Sequence, residues 1–309
     1  MDNGTSTSDS SFNAVNALRG LIKTMRPKQW IKNLFIFAAL VFDGKLLNLS
    51  YFTATLIGFG AFCLISSSVY LINDIADVNA DRQHPKKKNR AIPRGDLPIP
   101  LAWAAAGAIT LIALGVGFTL NTGFGLVLLA YFALMLAYTF KLKHMVILDV
   151  LLIAVGFVLR VGAGVPLVDA ERFSPWMFVC MFLLAMLLGF GKRRQEIVEL
   201  GGGNATRAIL DEYNIELLDQ IIAIVTGGVI VAYAFYTFSS PAIPDNHAMM
   251  ASIPFVVYGL FRYLYLVHVK GQGGAPDEIA LTDRPMQVDI ILWGLVVVAA
   301  FYGPKFLGK

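Results

Sequence analysis

LINDIADVNADRQHPKKKNRAIPRG, residues 71–95, begins as membrane and ends as a charged loop. Leu71 and Ile72 close an apolar run, and Asn73, Asp74, Asp77 and Asp81 follow directly. Arg82, Lys86, Lys87, Lys88, Arg90 and Arg94 come next. Asn73, Asp77 and Asp81 stand four apart, so a helix places them on one face with Asp74 beside them. Like charges at that spacing repel, and carboxylates near a helix C-terminus also meet the negative end of the dipole. Folding alone does not favour this arrangement. A divalent cation does, because Mg²⁺ is usually held by one or two carboxylates plus substrate phosphate oxygens. The alternative is a solvated helix end whose acids pair with the following lysines, which predicts scattered acids rather than a four-residue repeat.

Composition puts this stretch in a polytopic membrane protein. Of 309 residues, 57% are hydrophobic and 15% charged, against about 25% charged in soluble domains; the mean hydropathy is +0.65. Apolar runs of about 18–20 residues suit helices that cross a bilayer. The reading is an all-α integral membrane bundle with nine transmembrane helices at 31–49, 51–72, 98–118, 121–140, 146–167, 174–191, 217–238, 249–269 and 287–306. Residues 1–11 are polar and read as disordered. From Phe12, Val15, Leu18, Leu21, Ile22 and Met25 share one helical face while Arg19, Lys23 and Arg26 lie off it, which suits a helix on the membrane surface. The first apolar run starts late with no small-residue cleavage site after it, so no cleaved signal peptide is expected. No repeat divides the chain. It reads as a polar tail and the start of an interfacial helix over 1–22, then a single nine-helix domain over 23–309. Cys63 and Cys180 lie in apolar runs and read as free thiols.

Charge orients the bundle. The N-terminal arm and every second loop after it hold 19 of the 25 Lys and Arg residues, and the opposite loops and C-terminus hold four. Under the positive-inside rule the N-terminus is cytoplasmic. The acidic face is therefore also the basic, cytoplasmic face. A metal held by acids beside a cluster of cations is how proteins neutralise a diphosphate leaving group; for Lys86, Lys87 and Lys88 the topogenic signal is an equal reading. His84 reads as a surface residue.

Five blocks carry a resemblance: RPKQWIKN (26–33), YLINDIADVNADRQHPKKKNR (70–90), YTFKLKHMVILD (138–149), GFVLRVGAGV (156–165) and GFGKRRQE (189–196). The Asn73-Asp74-x-x-Asp77-x-x-x-Asp81 string resembles the first acidic motif of the UbiA superfamily of intramembrane prenyltransferases. The blocks together resemble its branch that transfers phosphoribose to decaprenyl phosphate. The resemblance covers nearly the whole chain from about Lys23. It implies a UbiA-like bundle with Mg²⁺ as cofactor on Asn73, Asp74, Asp77 and Asp81, in a bacterial inner membrane with the site on the cytoplasmic side. Typical prenyltransferases of the superfamily carry a second DxxxD motif near the loop where this chain has Lys192, Arg193 and Arg194, with Glu196 the first acid. One acidic cluster with several cations suits two phosphorylated substrates: phosphoribosyl pyrophosphate and a polyprenyl phosphate.

The remaining candidates follow. Tyr138, Lys141 and Lys143 end the fourth span, with Lys141 favoured as a phosphate ligand. Arg160 lies inside an apolar span, where a charge is costly and usually faces a polar cavity or a partner; pairing with Asp149 or with an acid of the first motif is the alternative. Arg26, Lys28, Lys32 and Asn33, at the entry to the first span, suit anion binding or surface anchoring. Lys87 and Arg90 are candidate diphosphate ligands. Asp283-Arg284 is a weak candidate, and GGGN (201–204) reads as a linker. The expected reaction is transfer of 5-phosphoribose to the lipid phosphate with release of pyrophosphate, feeding cell-wall arabinan. The acceptor is already ionised near pH 7, so no general base is needed, and inversion at C1 gives the β-linked product that the resemblance implies. A homo-oligomer is compatible. The rivals are a prenyltransferase joining a prenyl diphosphate to an aromatic acceptor and a non-enzymatic transporter or lipid-binding protein. The first lacks its second acidic pair, and the second lacks matched broken helices.

Overall fold

The computed structural model describes residues 14–85, 87–170, 174–200, 208–240, 243, 247–272, 279–280 and 282–306. Lys86, Arg172, residues 1–11 and the GGGN segment fall outside them. Helices are α1 (Ala14–Thr24), α2 (Ala38–Phe42), α3 (Leu49–Ala76), α4 (Val78–Gln83), α5 (Ala91–Arg94), α6 (Ile99–Leu120), α7 (Thr122–Phe140), α8 (Leu148–Gly164), α9 (Pro175–Leu200), α10 (Ile215–Ser239), α11 (Ile253–His268) and α12 (Arg284–Phe306). No strand occurs among the described residues. Asparagine starts three long helices: Asn48 accepts from the N–H groups of Ser50 and Tyr51, Asn121 from Phe124, and Asn214 from Leu217. Each cap satisfies donors that the first helical turn leaves without partners.

Seven helices among the described residues are long and apolar enough to cross a membrane: α3, α6, α7, α9, α10, α11 with the turn before it, and α12. The two other predicted spans differ. Span 146–167 is the 17-residue α8. Span 31–49 is not one α-helix: residues Pro27–Phe37 form a 3₁₀ helix and only Ala38–Phe42 are α-helical. The reason lies in its spacing. Trp30, Asn33 and Ile36 face α3 at intervals of three, which the 3.0-residue turn of a 3₁₀ helix lines up in a column. Trp30 donates to Ser67 Oγ at 3.1 Å, Asn33 donates to Ser66 Oγ at 3.1 Å, and Ile36 is fully buried.

The 3₁₀ helix, α3, α7 and α8 enclose one apolar cluster around Ile36, Phe62, Ile65, Phe124 and Tyr131. Helices α8 to α11 enclose another around Val150, Leu187, Phe190, Leu218 and Tyr263. Two glycines set the spacing around α8. A Cβ on Gly164 would stand 2.1 Å from the Ile36 carbonyl oxygen, and one on Gly189 would stand 2.5 Å from Val150. A helix forms over Ala14–Thr24, with Val15, Leu18 and Ile22 exposed. Its small residues Ala17 and Gly20 turn inward, where Gly20 meets Ala91 and Leu97.

Candidate active site

The acidic motif closes the end of α3. The helical path carries on through it, with the Asp77 N–H on the Asn73 carbonyl at 3.0 Å and the Asp81 N–H on the Asp77 carbonyl at 2.8 Å. Asn73 donates to Asp77 Oδ2 at 3.3 Å, as four-residue spacing requires. The acids divide into two kinds. Asp74 and Asp81 are buried and share Arg90, whose Nη1 stands 3.1 Å from Asp74 Oδ1 and 2.7 Å from Asp81 Oδ2. Arg26 adds a 2.5 Å bond to Asp74, and Lys87 lies 3.9 Å from Asp81. Asp77 keeps 32% of its side chain exposed and takes a 2.5 Å bond from Lys143. The pairing expected of a solvated helix end is thus partly present, but it is made by two arginines, Arg26 and Arg90, as well as by Lys87 and Lys143.

Among the described residues, no group of three or more His, Cys, Asp and Glu side chains is arranged to hold a metal. The donors nevertheless suit Mg²⁺ chemically. Asp77 and the amide oxygen of Asn73 are oxygen donors, and one or two carboxylates with substrate phosphate suffice for that ion. Asp77 is also the carboxylate with solvent access.

Beside the motif lies a cavity of about 450 Å³ between the 3₁₀ helix, α3, α7, α8 and α9. Arg26, Lys32, Arg160, Lys192 and Arg193 line it together with Asn73, and among the described residues no carboxylate does. Tyr70, Tyr131, Tyr138, Thr139 and Phe157 complete much of its wall. Arg160 is 6% exposed and makes three hydrogen bonds: to Asn33 Oδ1 (2.9 Å), to the Gly156 carbonyl (3.0 Å) and to Tyr131 Oη (2.7 Å). Its guanidinium carbon also lies 4.8 Å from the Tyr131 ring centroid and 5.1 Å from that of Phe157. All these partners are neutral. Neither Asp149 nor the acidic motif pairs with Arg160, contrary to the alternative drawn from sequence. Asp149 instead binds Arg193, whose Nε stands 2.7 Å from Asp149 Oδ2 while Nη1 reaches Glu196 at 2.7 Å.

Several expected residues lie elsewhere. Lys28 and Lys141 are exposed and line no part of the cavity; Lys143 makes the contact to the motif. Arg194 turns to Asp219 on α10 at 2.5 Å. Asp283 binds Arg262 at 2.8 Å, away from the cavity, and that hydrogen bond holds its carboxyl below the usual carboxylate range. His84 accepts the Lys87 N–H at 3.3 Å, a local turn contact. Tyr131, Thr139, Phe157 and Tyr213 carry no mark in the sequence reading. The α7 set had a signal, because Tyr131, Met135 and Tyr138 repeat at helical spacing on one face.

A helical membrane bundle with an acidic motif beside a cation-lined cavity is the architecture of a polyprenyl-handling transferase family. The chain belongs to the UbiA prenyltransferase family, whose model matches residues 34–275. It is 35% identical over 297 residues to the decaprenyl-phosphate phosphoribosyltransferase of Corynebacterium glutamicum, covering 93% of this chain and 88% of that one. To the enzyme of the same name from Mycolicibacterium smegmatis it is 34% identical over 301 residues, covering 93% and 94%. Its fold matches a UbiA homolog from Archaeoglobus fulgidus solved with GPP and Mg²⁺, with a TM-score of 0.70 at 16% identity over 91% of this chain and 99% of that one.

Proposed function

We propose that this protein transfers 5-phosphoribose from phosphoribosyl pyrophosphate to the phosphate of decaprenyl phosphate or a similar polyprenyl phosphate, releasing pyrophosphate. The observation that carries the reading is the cavity wall, with five cations and, among the described residues, no carboxylate. A wall of that kind suits several phosphate groups, since charge-assisted hydrogen bonds from arginine are strong and geometrically specific. The names of the relatives over nearly the whole chain support the same reaction.

In this mechanism the C1–oxygen bond to pyrophosphate breaks as an oxygen of the acceptor phosphate bonds to C1. Arg26, Lys32, Lys192 and Arg193 bind the donor's phosphates and offset the charge that grows on the leaving group. Arg160, held by Asn33 and Tyr131, supplies a cation deep in the cavity for a further phosphate. Tyr138 and Lys143 border the donor, and Lys143 holds the Asp77 carboxylate in place beside it. Asp77 and Asn73 would hold Mg²⁺, and Asp74 and Asp81, paired here with Arg26 and Arg90, would be the further carboxylates beside it. When bound, the ion would add positive charge against the diphosphate. Lys28 and Lys141 contact substrate only through its outer, solvated parts.

The same reading takes the chain as one transferase domain from residue 23, crossing the inner membrane nine times. The N-terminus and the site face the cytoplasm, and the product feeds cell-wall arabinan. The charge bias supports the orientation. The nine-crossing count needs α8, about 26 Å long at 1.5 Å per residue, and the 3₁₀ helix with α2 as the two further crossings.

The test is membranes carrying the protein, labelled phosphoribosyl pyrophosphate and decaprenyl phosphate, with Mg²⁺ or with EDTA. Label in the lipid fraction that disappears in EDTA is expected. No labelled lipid refutes the reading, and transfer from a prenyl diphosphate to an aromatic acid would replace it.

A further inference from the structure

We propose that Tyr213 is a positioning residue for phosphate binding: through Asp149 it fixes the orientation in which Arg193 faces the cavity. The role rests on the reading of that cavity as a phosphate site.

Arg193 is 3% exposed, yet it forms part of the cavity wall. An arginine presents a planar fork of five N–H donors, and its value as an anion ligand depends on where the fork points. Two of those donors are taken by Asp149 and Glu196. The two acids are not equivalent. Glu196 lies three residues along on the same helix, with 24% of its side chain exposed, whereas Asp149 is fully buried on α8. Asp149 is therefore the anchor, and its second oxygen accepts the Tyr213 hydroxyl at 2.8 Å.

Tyr213 is anchored in turn. Its oxygen accepts the Ile147 N–H at 2.6 Å. Ile147 has φ +68° and ψ −45°, and the Leu148 N–H bonds the Val146 carbonyl at 2.8 Å, which makes residues 146–148 a γ-turn. A β-branched residue at positive φ is an outlier that persists only where its surroundings over-determine it. The hydroxyl thus has one orientation that serves both neighbours: it accepts from the strained turn and donates to Asp149. Burial, with the negative Asp149 beside it, pushes the Tyr213 hydroxyl above its ordinary value, so it stays a donor throughout the neutral range. The turn lies between Lys143, which holds Asp77, and α8, which carries Arg160. Tyr213 itself comes from the segment before α10, so it ties that segment to the site.

Packing does not need the oxygen. The Tyr213 ring meets Phe190 edge-on with centroids 6.5 Å apart, a contact phenylalanine keeps. Removing only the hydroxyl leaves Arg193 charged and in place but free to swing on Asp149. Losing one hydrogen bond to a charged group is expected to weaken anion binding about tenfold.

The experiment is calorimetric titration of the purified full chain with inorganic pyrophosphate in EDTA, on the unmodified protein, Tyr213→Phe, Arg193→Lys and the double variant, with thermal melting and phosphoribosyl transfer measured alongside. The expected result is weaker binding in each single variant and no further loss when Tyr213→Phe is added to Arg193→Lys. Unchanged binding in either single variant, additive losses in the double, or no pyrophosphate binding by the unmodified protein overturns the proposal. So does a Tyr213→Phe protein without a cooperative melt, which would make the hydroxyl a folding element. Were the binding series to hold while the unmodified protein transfers no phosphoribose, the reaction assigned above would fall and the positioning role would stand.

Discussion

Lys143 and Asp77, 66 residues apart in sequence, meet at 2.5 Å. The most open carboxylate of the acidic motif is therefore held by a cation from the segment that follows another helix. Asp77→Asn removes the charge a metal needs while keeping a partner for Asn73. We expect loss of Mg²⁺-dependent turnover by about 100-fold or more, with a melting temperature close to that of the unmodified protein. Full Mg²⁺-dependent activity in that variant would remove Asp77 from the metal site.

Arg160 is a buried cation whose hydrogen-bond partners are all neutral. A buried charge without an ionic partner is costly to keep, and removing it offsets the hydrogen bonds that Asn33 and Tyr131 would lose. Arg160→Met is accordingly expected to lose turnover by at least about 100-fold while its melting temperature in anion-free buffer does not fall. Pyrophosphate should raise the melting temperature of the unmodified protein more than that of the variant. Equal shifts would detach Arg160 from phosphate binding.

Arg90 neutralises two buried acids at once. Among the described residues, Arg90→Ala leaves Asp81 with only the distant Lys87 and Asp74 with Arg26. Its removal is expected to cost about 2–3 kcal/mol, below the full figure for a buried pair because Arg90 is partly exposed. Adding Asp81→Asn should restore part of that stability, which thermal melting of the three proteins in detergent would show.

The Arg262–Asp283 pair gives a pH signature. The hydrogen bond from Arg262 lowers the folded-state pKa of Asp283, so its contribution is present above the ordinary carboxylate pKa of about 4 and is lost as pH falls through the folded value. Asp283→Asn should lower the melting temperature by a constant amount between pH 5 and 8, as read by scans at about five pH values. The difference should shrink below about pH 4.

Local order was legible where the chemistry is local. The four-residue spacing of Asn73, Asp77 and Asp81 appears in the helix as read, and long apolar runs mark α3, α6 and α7 correctly. Residues 31–49 were apolar enough for a span, but hydropathy is blind to the period of three at Trp30, Asn33 and Ile36 that makes the segment 3₁₀. Arg160 stood out as an intramembrane charge, yet its partners Asn33 and Tyr131 lie 127 and 29 residues away. Nothing in sequence spacing selects such pairs. Asp149 and Arg193 were both visible as charges, and only the close approach of α8 and α9, allowed by Gly189, shows that they belong to each other.

The cation-lined cavity also governs how the protein has to be handled. An anion that binds only the folded state adds RT ln(1 + [L]/Kd), about 2.7 kcal/mol at a hundredfold excess over its Kd. If the cavity binds phosphate as proposed, phosphate, sulfate or citrate in a purification buffer would preserve the fold by occupying the place assigned to the substrate. A preparation optimised for stability would then be one assayed under inhibition, and an inhibitor screen in phosphate buffer would discard its weaker hits. Low-anion buffers, with stability supplied by lipid instead, are the conditions in which this cavity can be read as an enzyme's.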